Sequence, residues 1–236
     1  MRVPCKIVAE VLSILANKIE PGITGLDLED IALKETKKHK AVAAFKGYAG
    51  FPFAVCCSPN NKVIHGMPNA IPFVSGDIIS IDFGVLYDEY YGDAAITVPV
   101  GVVSPEASEL LFVTEQSLYK GIEQAVPGAR LFDISNAVQS HVEASGFSVV
   151  RDFVGHGIGK KLHEDPQIPN YGKPGRGVQL KAGMVLAIEP MVNKGSYNVK
   201  VLDDGWTAVT ADNSISAHFE HTVAVTRQGP VILTQL

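Results

Sequence analysis

Four carboxylates in this chain sit where carboxylates are costly. Asp82 lies in Ile78-Ile79-Ser80-Ile81-Asp82-Phe83 and Glu189 in Val185-Leu186-Ala187-Ile188-Glu189-Pro190, so each interrupts an apolar run. An ionised carboxylate in such a strand costs several kcal/mol to bury unless a cation or strong donors meet it. Asp93 and Glu220 open two further runs, Ala94-Ala95-Ile96-Thr97-Val98 and His221-Thr222-Val223-Ala224-Val225. Any one of these alone reads as a solvated strand end; carboxylates at matching places in two halves of a chain do not. Imidazoles join them. His156 lies in Gly155-His156-Gly157-Ile158-Gly159, where glycines permit close backbone approach. His163 lies in Leu162-His163-Glu164-Asp165-Pro166 and His65 in Val63-Ile64-His65-Gly66-Met67-Pro68, whereas His39, His141 and His218 read as packing residues. Carboxylates in excess over imidazole suit Mn, Fe, Co or Zn, and the lack of paired cysteine ligands argues against a structural zinc site. The charge of four carboxylates balances two divalent ions, which favours a dinuclear hydrolytic centre with metals about 3.5–4 Å apart.

The elements that must position these groups alternate between helix and short strand, a mixed α/β (α+β) pattern. Ile7, Val8, Val11, Leu12, Leu15 and Ile19 recur at helical spacing until Pro21-Gly22, and Thr24 with Asp27 forms a capping box for a second helix. Ser104-Pro105 starts a third helix, ending at Pro127-Gly128, and a fourth runs from about Phe132 to Ala144. Strands are expected at 78–85 and 94–100 as a hairpin, then at 149–154, 185–188, 206–210 and 219–225. The order repeats. Pro21-Gly22 with Asp27-Leu28 matches Pro127-Gly128 with Asp133-Ile134, and Gly76-Asp77 before the Asp82 strand matches Gly183-Met184 before the Glu189 strand. Two similar halves about a pseudo-twofold axis follow.

At 236 residues the chain is expected to be a single catalytic domain, 1–236, with halves of roughly 1–103 and 104–236. Hydrophobic residues at 46% and charged ones at 19% exclude a disordered chain. The net charge of -5 gives no reason to expect direct nucleic-acid binding or attraction to anionic membranes. Three cysteines, with Cys56 and Cys57 adjacent, make no disulfide framework and point to a reducing compartment. No segment approaches the roughly 20 apolar residues of a spanning helix, so a cytoplasmic protein is expected.

Over nearly the whole chain these residues resemble type I methionine aminopeptidases. The resemblance rests on Val63-Ile64-His65-Gly66, Ile81-Asp82-Phe83-Gly84, Tyr91-Gly92-Asp93-Ala94-Ala95, Gly155-His156-Gly157-Ile158-Gly159, Leu162-His163-Glu164-Asp165-Pro166, Ile188-Glu189-Pro190-Met191 and Phe219-Glu220-His221-Thr222. It implies the pita-bread fold around an antiparallel sheet. It also implies metal ligation by Asp82, Asp93, His156, Glu189 and Glu220, with Asp93 and Glu220 bridging two ions. His65 and His163 would position substrate and stabilise the tetrahedral intermediate, with Glu189 assisting proton movement. Tyr48, Phe51, Cys56 and Trp206 would form the methionine pocket. Ala49, Phe45 and Leu162 depart from residues found in some members, and Met1-Arg2-Val3 is a shorter start than the family leads one to expect.

The activity implied is metal-dependent removal of initiator methionine from nascent chains and peptides whose second residue is small, by a monomer, with the ribosome as a candidate partner. The same-fold alternative is an Xaa-Pro aminopeptidase or dipeptidase, whose members usually carry an extra N-terminal domain. A non-enzymatic binding module of this fold is the alternative of another class, and such modules have generally lost metal ligands that are all filled here.

Overall fold

The computed structural model describes residues 1–235. Its centre is a nine-stranded sheet whose paired strands are all antiparallel. The hairpin of strands Ile78–Tyr87 and Tyr90–Pro99 forms one half, and strands Glu220–Thr226, Val185–Ile188 and Gly155–Gly157 continue the sheet into the other.

Helices cover one face of this sheet and leave the other for the site. Side chains alternate across a strand, so Ile79, Ile81, Phe83 and Val85 point towards α1 (Arg2–Ala16) and α2 (Gly25–Lys38) and pack with Val8, Val11, Leu15 and Leu28. Leu186, Ile188, Val223 and Val225 pack in the same way with Leu110, Leu118, Ile134 and Val138 of α3 (Pro105–Glu123) and α4 (Leu131–Ala144). The intervening residues, including Asp82, face the opposite side.

The internal repeat is written in backbone bonds. Gly22 N–H donates to Phe73 O and Gly128 N–H to Leu180 O, both at 2.9 Å; Gly76 N–H donates to Val100 O and Gly183 N–H to Val225 O, again both at 2.9 Å. Asp27 accepts from the Thr24 N–H at 2.9 Å, and Asp133 from the Arg130 N–H at 2.7 Å, so the same side chain starts the second helix of each half. The fold is therefore the pita-bread arrangement of two pseudo-symmetric halves.

Several boundaries differ from the sequence reading. α1 stops at Ala16, short of Pro21-Gly22: the Asn17 side-chain amide donates to Ser13 O at 2.8 Å, and the N–H groups of Lys18 and Ile19 reach back only three residues, to Leu15 O and Ala16 O. The expected strand at 149–154 is instead a two-residue piece, Ser148–Val149, with the next strand beginning at Gly155. The stretch expected at 206–210 narrows to Ala208–Thr210, since Asp204 folds the Trp206 segment into a turn. Asp93 does not precede its strand. The hairpin strand begins at Tyr90, which puts Asp93 within it, paired with Gly84.

Candidate active site

Register brings the carboxylates together. Asp82 pairs with Ala95, and Ala95 pairs on its other side with Glu220, so these three form a row across adjacent strands. Asp93 lies two residues from Ala95 and therefore on the same face. His156 pairs with Ala187, two residues before Glu189, which brings the second half's ligand candidates to that face as well. Glycine makes the last approach possible: a Cβ at Gly155 would strike Ala187 O, and one at Gly157 would strike Asp165 O, so His156 is carried by a backbone pressed between its neighbours.

Asp82, Asp93, His156, Glu189 and Glu220 line one cavity of about 150 Å³, together with His65 and His163. Its remaining wall is made by Tyr48, Phe51, Cys56 and Trp206, and by Phe45 and Leu162, whose part in the pocket the sequence reading left open. Phe51 meets Trp206 edge-on, with ring centroids 5.2 Å apart. The Asp204 carboxylate holds the Trp206 turn by accepting from the backbone N–H of Trp206 at 2.9 Å and of Thr207 at 2.8 Å.

A single buried carboxylate anchors the other side of this wall. Glu29 on α2 is 6% exposed; it accepts from the N–H groups of Ala54 (2.8 Å) and Val55 (3.2 Å), and Lys46 Nζ lies 3.4 Å away. It thus ties down both ends of the loop that carries Tyr48 and Phe51. Glu29→Ala leaves two buried N–H groups without acceptors and is expected to lower unfolding free energy by about 2–4 kcal/mol, read from urea denaturation; a loss below about 0.5 kcal/mol would contradict this anchoring.

His163 is oriented by Tyr48, whose hydroxyl lies 2.7 Å from Nδ1. With the phenol donating, Nδ1 is the acceptor and the proton resides on Nε2. The His163 ring also meets that of His156 edge-on, at 4.4 Å between centroids. His65 has positive φ of 57°, which turns its ring out of the preceding strand towards Trp206 and Phe153.

The electrostatics of these groups suit a cation. Burial, with Glu189 nearby, pushes the Asp82 carboxyl up to about 7, against a lowering by His218. Burial also lifts Glu189 to about 7 and, with the neighbouring carboxylates, holds Asp93 and Glu220 well above the usual range. Desolvation pushes His65 down to about 4 and lowers His156 and His163, so these rings are neutral near pH 7. Asp82 Oδ1, Asp93 Oδ1 and Glu220 Oε1 are buried with no hydrogen-bond partner among the described residues. Acceptor-only oxygens left unpaired fit divalent cations. Two groups have ligand atoms within 4.8 Å of one another, Asp93 with His156 and Glu220, and Glu189 with His218 and Glu220.

A testable consequence concerns pH. A cation needs the ionised carboxylates, and protons compete for Asp82 and Glu189 below about pH 7. Metal affinity is therefore expected to weaken as pH falls from 8 to 6, with protons released on binding, as titration calorimetry in two buffers would read. An affinity flat across that range would contradict the coupling.

His218 corrects the sequence reading. The sequence predicts a packing residue, yet His218 is 1% exposed beside Glu189 and Glu220, with both ring nitrogens unpaired among the described residues. The signal was available, since His218 and Glu220 are two residues apart in an extended segment and so share a face.

With the geometry in place, comparison with known proteins assigns the class: residues 1–227 match the model of metallopeptidase family M24, and the chain belongs to that family. Within it, the chain groups with the methionine aminopeptidases. It is 58% identical to a methionine aminopeptidase of Clostridium perfringens, covering 99% of this chain and 94% of that one. A methionine aminopeptidase structure from Thermotoga maritima superposes with a TM-score of 0.99 at 50% identity, covering 100% of this chain and 95% of the other. The prolidase of Pyrococcus furiosus shares the fold at a TM-score of 0.80 and 21% identity, this chain spanning 62% of its length.

Proposed function

We propose that this metallo-exopeptidase removes the N-terminal methionine from peptides and nascent proteins whose second residue is small. The observation that carries the reading is one cavity whose floor holds unpaired buried carboxylate oxygens and whose wall is aromatic with one thiol. Asp82, Asp93, His156, Glu189 and Glu220 would hold two divalent ions, and two cation-competent groups with Glu220 in common support a paired centre. Mn, Fe, Co and Zn all suit this donor set. Such ions supply a Lewis acid for the scissile carbonyl and make a water acidic enough to attack near neutral pH.

The chain's own groups do the rest. Glu189 would take a proton from the attacking water and return it to the leaving amine. His163, fixed by Tyr48 with its proton on Nε2, donates to the oxygen that gains charge. His65 lies at the edge of the cavity where the second substrate residue passes, between Trp206 and Phe153, and orients the peptide there. Tyr48, Phe51, Trp206 and Cys56 receive the methionine side chain, whose thioether makes favourable contacts with aromatic rings. Residues 1–236 act as one catalytic domain of two related halves. The enzyme works as a monomer in the cytoplasm on chain termini, including those emerging from the ribosome. Free, buried cysteines suit that compartment, and no described helix is long and apolar enough to cross a membrane.

Specificity is the test. An apolar pocket discriminates by about 1–3 kcal/mol per methylene, so norleucine in place of methionine should still be cleaved, less well, and leucine much less. In kcat/KM over a tripeptide series, Met-Ala-Ser should exceed Leu-Ala-Ser by 100-fold or more (about 3 kcal/mol), and Met-Leu-Ser should be poor. Equal cleavage of the Met and Leu peptides, or preference for Xaa-Pro peptides lacking methionine, would overturn the substrate assignment.

A further inference from the structure

His218 is held in place by its backbone, independently of its ring. Its N–H donates to Thr97 Oγ1 at 2.9 Å, and the Thr97 hydroxyl donates in turn to His218 O at 2.7 Å. Strand pairing with Met191 sets it beside the segment that follows Glu189. The ring so directed has Nε2 at 3.5 Å from Glu189 Oε2, while His156 Nε2 lies 3.6 Å from Oε1 of the same carboxylate. Glu189 therefore stands between two imidazoles, one facing each oxygen.

Packing does not account for an imidazole here. A neutral ring brings one donor and one acceptor, and leaving both unpaired in the interior is costly where an apolar side chain would fill the space without that penalty. The nearest use for the donor is the Glu189 carboxylate, at a separation that a small ring rotation converts to a hydrogen bond.

We propose that His218 is a positioning residue of the metal centre, its Nε2–H donating to Glu189 Oε2 and holding that carboxylate in the orientation in which it and Glu220 meet a cation. This rests on the metal-centre reading above. Partners of this kind, behind a ligand, typically change metal affinity by about 10–100-fold when removed. An added donor also fixes which oxygen of Glu189 remains free to face the cavity.

The test is Mn(II) binding to the full chain, read from the EPR signal of free Mn(II), alongside the melting temperature of the metal-free protein. His218→Leu should weaken Mn(II) binding about 10–100-fold while the metal-free melting temperature stays level or rises, because a buried ring whose Nδ1 has no partner has been replaced by an apolar side chain. His218→Gln, whose amide can donate from a similar reach, should recover most of the affinity. Parent-like affinity in His218→Leu would overturn the proposal. So would a His218→Gln variant as weak as His218→Leu, since that pattern makes the ring nitrogen itself a ligand. A parent chain that binds no Mn(II), with Glu220→Ala indistinguishable from it, would instead sink the metal-centre reading on which the proposal stands.

Discussion

Replacing Glu220 with alanine is expected to reduce turnover by about 10³-fold or more, because a Lewis acid worth several kcal/mol is lost and each decade corresponds to about 1.4 kcal/mol. The size of the effect follows from position. Glu220 sits in the row with Asp82 and Ala95 and belongs to both groups of residues that could hold a cation. No other residue is shared by the two. Stability should respond in the opposite sense to activity. Burial and three neighbouring carboxylates hold the Glu220 carboxyl well above the usual range, so Glu220→Gln removes a charge that is costly there and keeps the shape. Its metal-free form should melt at or above the parent's temperature, while stabilisation by added Mn(II) should largely vanish. Turnover within threefold of the parent for Glu220→Ala at saturating metal would remove the residue from the centre.

His163→Ala is expected to keep its metal and lose about 10²–10³ in kcat, the usual cost of removing one donor to developing negative charge. The imidazole lies beside the ligand set, with Nδ1 2.7 Å from the Tyr48 hydroxyl, which as donor leaves the ring proton on Nε2. Tyr48→Phe should therefore cost part of the same effect by freeing the tautomer, together with some KM through the pocket wall. If His163→Ala instead loses metal while its kcat at saturating ion is restored, the residue is a ligand and the donor role is wrong.

Much of this was legible because burying charge is expensive. Asp82 and Glu189 stand in apolar runs that no solvated strand end would need, and the internal repeat doubled the signal. Period-two alternation in Ile79, Ile81, Phe83 and Val85 was likewise enough to say which face the helices cover. Three things were hidden. The apolar run that starts at Ala94 puts Asp93 ahead of its strand; pairing with the preceding strand, out to Tyr87 against Tyr90, places it inside. His218 was set aside because a lone histidine is ordinarily a packing residue, and its meaning lies in a 3.5 Å approach to Glu189 across strands. Glu29 carries no local sign of its role, since only the tertiary course of the loop to Ala54 and Val55 brings donors to it. Local patterns encode which face a residue takes, whereas partners distant in sequence are set by register and loop path.

The most direct test of the central claim is the release of free methionine from Met-Ala-Ser by metal-stripped protein, before and after Mn, Fe, Co or Zn is restored. Release should be absent from the stripped protein and return with at least one of these ions, saturating at up to two per chain. Release that survives stripping, or that none of the four ions restores to a protein whose melting temperature shows it folded, would contradict the account.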